Sequence, residues 1–344
     1  MCKYMTNFFY ASAHPRICAY YLTPLYKIAL YCILWLKWGV MKEKKVLDLS
    51  IVASECGICD NVEYNVVTSN IDNLENHYSE EDLVIIYNYF LTLAQNQDIL
   101  MYLIRCVDKY RNKSSLNNVL DLFLNKENTD NLRIMCAKVI ANFKDTSVVT
   151  PLLYCLNDKN ENYKLRLACA DALGKVGDKY AVAPLINIVQ DEEEKSVYVR
   201  ESAAVALGML GDVRAVDPLL SILESKKGFI DKFTFLKERI IEVIGKFNFK
   251  SDRVIKALEH ALRDESTHVR INAIEALMDS CDDRAYGLIK NMLEDLDEEV
   301  KKNALIALYN MEGRKILDEV IEDGKYCDFL KQEARALIEE YEDE

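Results

Sequence analysis

The stretch KLRLACADALGKVGDKYAVAPLINIVQD, residues 164–191, decides the fold. Leu165, Ala168, Cys169, Ala172 and Leu173 recur at intervals of three and four residues, which predicts an amphipathic helix. Gly174 and Gly177 are expected to end it, because glycine accepts the left-handed backbone of a helix C-cap. Pro184 stands early in a second helix, where a missing N–H costs little, and Leu185, Ile186, Ile188 and Val189 give that helix a side to bury. Neither helix covers its apolar stripe alone. Such a hairpin needs copies of itself stacked on both sides.

The copies are present. NLRIMCAKVIANFKDTSVVTPLLYCLND (131–158) and YVRESAAVALGMLGDVRAVDPLLSILES (198–225) align with the central unit without gaps. Arg133, Arg166 and Arg200 fall 33 and 34 residues apart, and Asp145, Asp178 and Asp212 keep that spacing, as do Pro151, Pro184 and Pro218. Degraded copies follow at 235–264, 268–295 and 299–320, with Lys237, Arg270 and Lys301 at the arginine position and Asp282 at the aspartate position. Cys136, Cys169, Ala203, Ala273 and Ala304 share one position where small side chains let helices approach, and Ile240 alone breaks the series. Residues 326–342 read as a closing helix, and 81–124 carry helical periodicity without the motif.

This pattern resembles the HEAT-repeat family, in particular its short variety named after phycobilisome lyase. The resemblance covers 131–320 well and 81–124 weakly, and it does not reach residues 1–60. It implies an all-α fold, a right-handed α-solenoid of stacked antiparallel helix pairs. The expected organisation is a basic apolar-aromatic segment at 1–40, divergent helical repeats or a cap at 41–130, HEAT-like repeats at 131–320, and a capping helix with acidic tail at 321–344. The resemblance further implies that Arg133, Arg166, Arg200 and Arg270 form a buried structural ladder with Asp145, Asp178, Asp212 and Asp282.

Composition agrees with a folded helical protein: half of the 344 residues are hydrophobic, while only 11 Gly and 5 Pro occur. The net charge of −13 speaks against phosphate backbones as partners. Eleven scattered cysteines, many inside apolar helical stretches, read as buried free thiols in a reducing compartment, which points to the cytoplasm. Residues 1–40 carry four basic and no acidic side chains, and Ile28–Leu36 is an apolar run of nine residues. That run is shorter than the roughly 20 residues a membrane span needs. Two readings of this segment stand side by side: a membrane-interface segment rich in Tyr and Trp, with membrane contact through residues 17–40 alone, or a stretch upstream of a true start at Met41. A signal or anchor is a third.

Catalytic and cofactor signatures are sparse. HEAT-like di-iron hydroxylases hold their metal through His-Glu dipeptides, and none of His14, His77, His260 and His268 precedes a Glu. Cys56 and Cys59 form a lone CxxC with no second pair, so they are weak metal candidates beside the reading as incidental thiols. No lysine-serine or lysine-threonine follows a glycine-rich turn, and no serine sits in a nucleophile elbow. No cofactor is expected. A bilin-lyase-like enzyme remains the alternative to a protein-binding scaffold, adaptor or assembly factor. The family resemblance implies that the arginine-bearing helix lines the concave face. Its outward positions then include Leu167, Glu201, Glu238, Glu242, Ile271 and Glu275, an acidic strip suited to a basic or amphipathic protein segment. DEEEK (191–195) sharpens the acidity, and SKKGFIDKF (225–233) lengthens a loop of the kind that often serves binding.

Overall fold

The structure is a computed structural model that describes residues 47–59, 62–224, 234–247, 251–280 and 282–342. The segment at 1–40 and the SKKGFIDKF loop lie outside the described residues. Eighteen α-helices and no strand occur among the described residues. The first are α1 (Leu49–Cys56), α2 (Tyr64–Leu74), α3 (Glu80–Leu93), α4 (Gln97–Tyr110), α5 (Leu116–Leu124) and α6 (Asp130–Asn142). Next come α7 (Val149–Asn157), α8 (Tyr163–Val176), α9 (Val182–Gln190), α10 (Val197–Leu210), α11 (Val216–Glu224) and α12 (Thr234–Lys246). The last six are α13 (Asp252–Ala261), α14 (Thr267–Asp279), α15 (Ala285–Asn291), α16 (Glu298–Glu312), α17 (Lys315–Glu322) and α18 (Asp328–Glu342). None of them is long and apolar enough to cross a membrane.

From α2 to α18 the even-numbered helices pack each against the next and form one row. The odd-numbered helices form a second row, packing mainly on the even-numbered helices and only thinly on one another. The arrangement is an all-α solenoid of stacked helix pairs. Tight packing of the even row follows from its small residues. Cys136, Cys169, Ala203, Ala273 and Ala304 are fully buried, and the bulkier Ile240 is buried at the same position.

Glycine at a second position brings the helices closer still. A Cβ on Gly174 would stand 2.9 Å from the Ala206 backbone, and one on Gly245 would stand 2.8 Å from the Ala276 side chain. Gly174 therefore does not end its helix, contrary to the expectation from sequence. It lies inside α8, and Gly177 alone supplies the left-handed C-cap, with φ of +84°.

Five turns from an even-row helix to the next odd-row helix share one design. Asp145, Asp178, Asp212 and Asp282 accept a hydrogen bond from the backbone N–H two residues on, at 3.1, 2.8, 3.0 and 2.9 Å. They cap the turn before the second helix, as Asn112 does before α5. The same construction thus extends upstream of the legible repeats.

Arg133, Arg166 and Arg270 make their ion pairs with carboxylates other than these aspartates. Within a unit, about twelve residues of helix and turn separate arginine from aspartate, up to roughly 18 Å of rise. The Arg133 Nε donates to the Phe123 carbonyl at 2.9 Å, and its guanidinium forks onto Glu161 at 2.8 and 2.9 Å. Arg166 repeats this with the Leu156 carbonyl at 2.8 Å and with Glu194 at 3.0 and 2.5 Å. Arg200 donates its Nε to the Val189 carbonyl at 2.9 Å, and Arg270 forks onto Asp295 at 3.0 Å. Each of the first three satisfies a carbonyl near the C-terminal end of the preceding odd-row helix, where unpaired carbonyls gather. Arg133 and Arg166 also grip the loop before the next even-row helix. Asp145 and Asp212 pair instead with Lys113 at 3.1 Å and Arg214 at 2.8 Å, and Asp282 pairs with Arg284 at 2.8 Å.

Candidate binding groove

The N-terminal ends of α8, α10 and α12, with the loops at 158–162 and 191–196, surround a groove of about 770 Å³. Clefts that hold ligands span roughly 300–1,000 Å³, so the space suits part of a peptide. Its apolar walls are the rings of Tyr163, Tyr198 and Phe235 together with Val197. All three aromatic side chains are exposed, Tyr198 at 61% and Phe235 at 72%, although each is a large ring that burial would favour. Each stands two or three residues before the motif Arg166, Arg200 or Lys237, so the first turn of three successive helices carries an aromatic ring. The Tyr163 and Tyr198 rings lie 6.2 Å apart with their planes tilted by 30°.

The polar walls contain two kinds of charge. Most are already paired: Arg166 with Glu194, Glu161 with Arg133, and Lys159 with Asp191 at 2.6 Å. The Arg133 hydrogen bonds hold the Glu161 carboxyl below its ordinary value. Burial would raise that of Glu194, but the Arg166 hydrogen bonds and other partners outweigh it and leave it lowered. Glu201 differs. It is half-buried in the groove wall, and burial raises its carboxyl above the ordinary value, with Arg239 opposing and Glu238 adding to the rise.

Of the six partner-contact positions expected from sequence, the groove brings in only Glu201, together with Glu194 and Lys195 of the DEEEK loop. Leu167 is half-buried on α8, one residue past Arg166. Glu238 accepts a hydrogen bond from the Ser266 hydroxyl at 3.4 Å, and Glu242 pairs with Lys246 at 2.6 Å and with Arg239. Glu275 is exposed on α14. Ile271 is only 9% exposed, because α12 and α16 pack on either side of its helix. It is a core residue rather than a surface contact. The DEEEK acidity is also smaller than its composition suggests, since Asp191 and Glu194 are tied to Lys159 and Arg166.

Sequence reasoning missed the three aromatic residues because it looked only at positions after the motif arginine. The signal was available at two and three residues before it. Cys56 is buried in α1, which lifts its thiol to about 11, whereas Cys59 is exposed. No group of three or more His, Cys, Asp or Glu side chains among the described residues is placed to hold a metal.

Among solved structures, human deoxyhypusine hydroxylase in complex with glycerol is 14% identical over 77% of this chain and 96% of that one, with a TM-score of 0.32. The CpcE–CpcF complex of phycocyanin lyase from Nostoc sp. PCC7120 is 23% identical over 65% of this chain and 87% of that one, with a TM-score of 0.44. A Kap121p mutant is 9% identical over 97% of this chain and 44% of that one, with a TM-score of 0.50, a likeness of fold alone. No curated protein sequence matches the chain significantly. A family model described as HEAT repeats matches residues 116–194, 158–232 and 230–309. Since those stretches together cover more than half of the chain, the protein belongs to the HEAT-repeat family.

Proposed function

We propose that the protein is a non-catalytic scaffold, an adaptor or assembly factor, whose groove beside α10 holds a segment of a protein partner. The observation that carries this reading is the exposure of Tyr163, Tyr198 and Phe235 on three successive helices of one row. Single exposed apolar side chains are ordinary on any protein, whereas rings aligned on one cleft support recognition. A stacked array supports the reading further, because regular repeats present a long and rigid surface to a partner. Glu238, Glu242 and Glu275 extend the surface along the same row. Free thiols buried at Cys136, Cys155 and Cys169 support a reducing, cytoplasmic setting.

Photo-crosslinking tests the site. A benzophenone amino acid at position 198 should join the protein to a partner, and the same group replacing Tyr180, exposed on the turn before α9, should not. The partner, once purified, should bind the wild type and lose binding to a Tyr198→Ala/Phe235→Ala variant. Loss with Glu238, Glu242 and Glu275 all changed to Lys, but not with the aromatic variant, would move the site further along the row. A spectral shift on adding linear tetrapyrroles would instead favour the bilin-lyase-like alternative.

A further inference from the structure

We infer that the groove is built to receive an arginine side chain of the partner, its guanidinium on the Glu201 carboxylate and against the rings of Tyr198 and Phe235. The inference rests on the reading of the groove as a protein-binding site and names the chemistry of what enters it. Four charged side chains in the walls already have partners: Lys159, Glu161, Arg166 and Glu194. Two make no hydrogen bond or ion pair with another described side chain, Glu201 and Lys195. Lys195 is exposed, so water and salt screen it and pairing it gains little. Glu201 is half-buried, and the nearby cation, Arg239, makes its ion pair with Glu242 instead, so a cation seated directly on Glu201 is worth more than one on the open surface.

The surroundings select the kind of cation. Tyr198 and Glu201 are three residues apart on α10, which sets ring and carboxylate side by side on one helix face. Phe235, in the first turn of α12, lines the same groove, and the Tyr163 ring lies 6.2 Å from that of Tyr198. A cation that stacks on a ring while bonding a carboxylate in two places must be planar and forked. Guanidinium meets both demands, and a lysine ammonium meets neither as well. A net charge of −13 favours approach of such a segment over any polyanion.

The test uses the full chain and a random linear dodecapeptide library displayed on phage. Panning on the wild type should enrich peptides with arginine at one fixed position. A synthetic copy of the best peptide should lose affinity by about tenfold or more when that arginine becomes citrulline, its neutral isostere, and by a similar factor against Glu201→Gln. Enrichment without arginine, retention of no peptide, or equal binding by the citrulline peptide would overturn the inference. Peptides lacking arginine that still require Tyr198 and Phe235 would remove the arginine and leave the protein-binding reading standing. Peptides indifferent to both rings would count against both.

Discussion

Arg166 is 3% exposed and gives its guanidinium to the Leu156 carbonyl and the Glu194 carboxylate. Replacing it with Ala leaves a buried carboxylate and a helix-end carbonyl without partners, so Arg166→Ala should lower unfolding free energy by about 3–5 kcal/mol in urea titration. A double change to apolar residues, Arg166→Met with Glu194→Leu, should recover most of that loss. The carboxylates also set a pH dependence. Glu161 and Glu194 lie below their ordinary 4.5 in the folded protein, and Asp145, which accepts hydrogen bonds from Ser147, is lowered to about 2. Groups lowered in this way contribute stability above their unfolded values, and that stability is lost as pH falls through the folded ones. The thermal midpoint should be level at neutral pH and fall from about pH 4.5 downward; a midpoint that rises on acidification would contradict the pairing. The arginine spacing was legible in sequence, but the partners were not. Glu161 and Glu194 each lie 28 residues beyond their arginine, in loops, whereas Asp295 lies 25 beyond Arg270. A motif defined within one unit does not show a bond made to the loop before the next.

At the scale of the element, two kinds of helical glycine behave oppositely. Gly174 and Gly245 sit where one even-row helix meets the next, and a methyl group there would press on Ala206 or Ala276. Although alanine is the better helix former, Gly174→Ala and Gly245→Ala should each cost about 1–3 kcal/mol, because the neighbouring backbone must shift. Gly287 lies inside α15 with open space where a Cβ would stand. There Gly287→Ala should stabilise by about 0.5–1 kcal/mol, and chemical denaturation of the three variants checks the contrast. Helix periodicity and the small-residue position were readable because they follow from the pattern within one chain segment. The role of Gly174 was not, since close approach depends on Ala206, 32 residues away on the next even-row helix, whose distance no local pattern gives.

For the molecule as a whole, the repeats predicted stacking, and the structure shows two rows with the tighter one built from small residues. Function was less legible. An acidic strip was expected from Glu238, Glu242 and Glu275, but Lys246 and Arg239 offset part of it, and the accessible groove lies earlier, at the starts of α8, α10 and α12. Surface charge read from sequence does not show which carboxylates are already paired. The central claim is that Tyr198 and Phe235 hold the partner. The equilibrium Kd of the cross-linked partner, once purified, for wild type and for Tyr198→Ala/Phe235→Ala tests it most directly, with matching circular dichroism to confirm that both are folded. Two central aromatic contacts should be worth at least about 2 kcal/mol, a loss of roughly thirtyfold in affinity. An affinity within about twofold of wild type, in a variant of unchanged fold, would contradict the account.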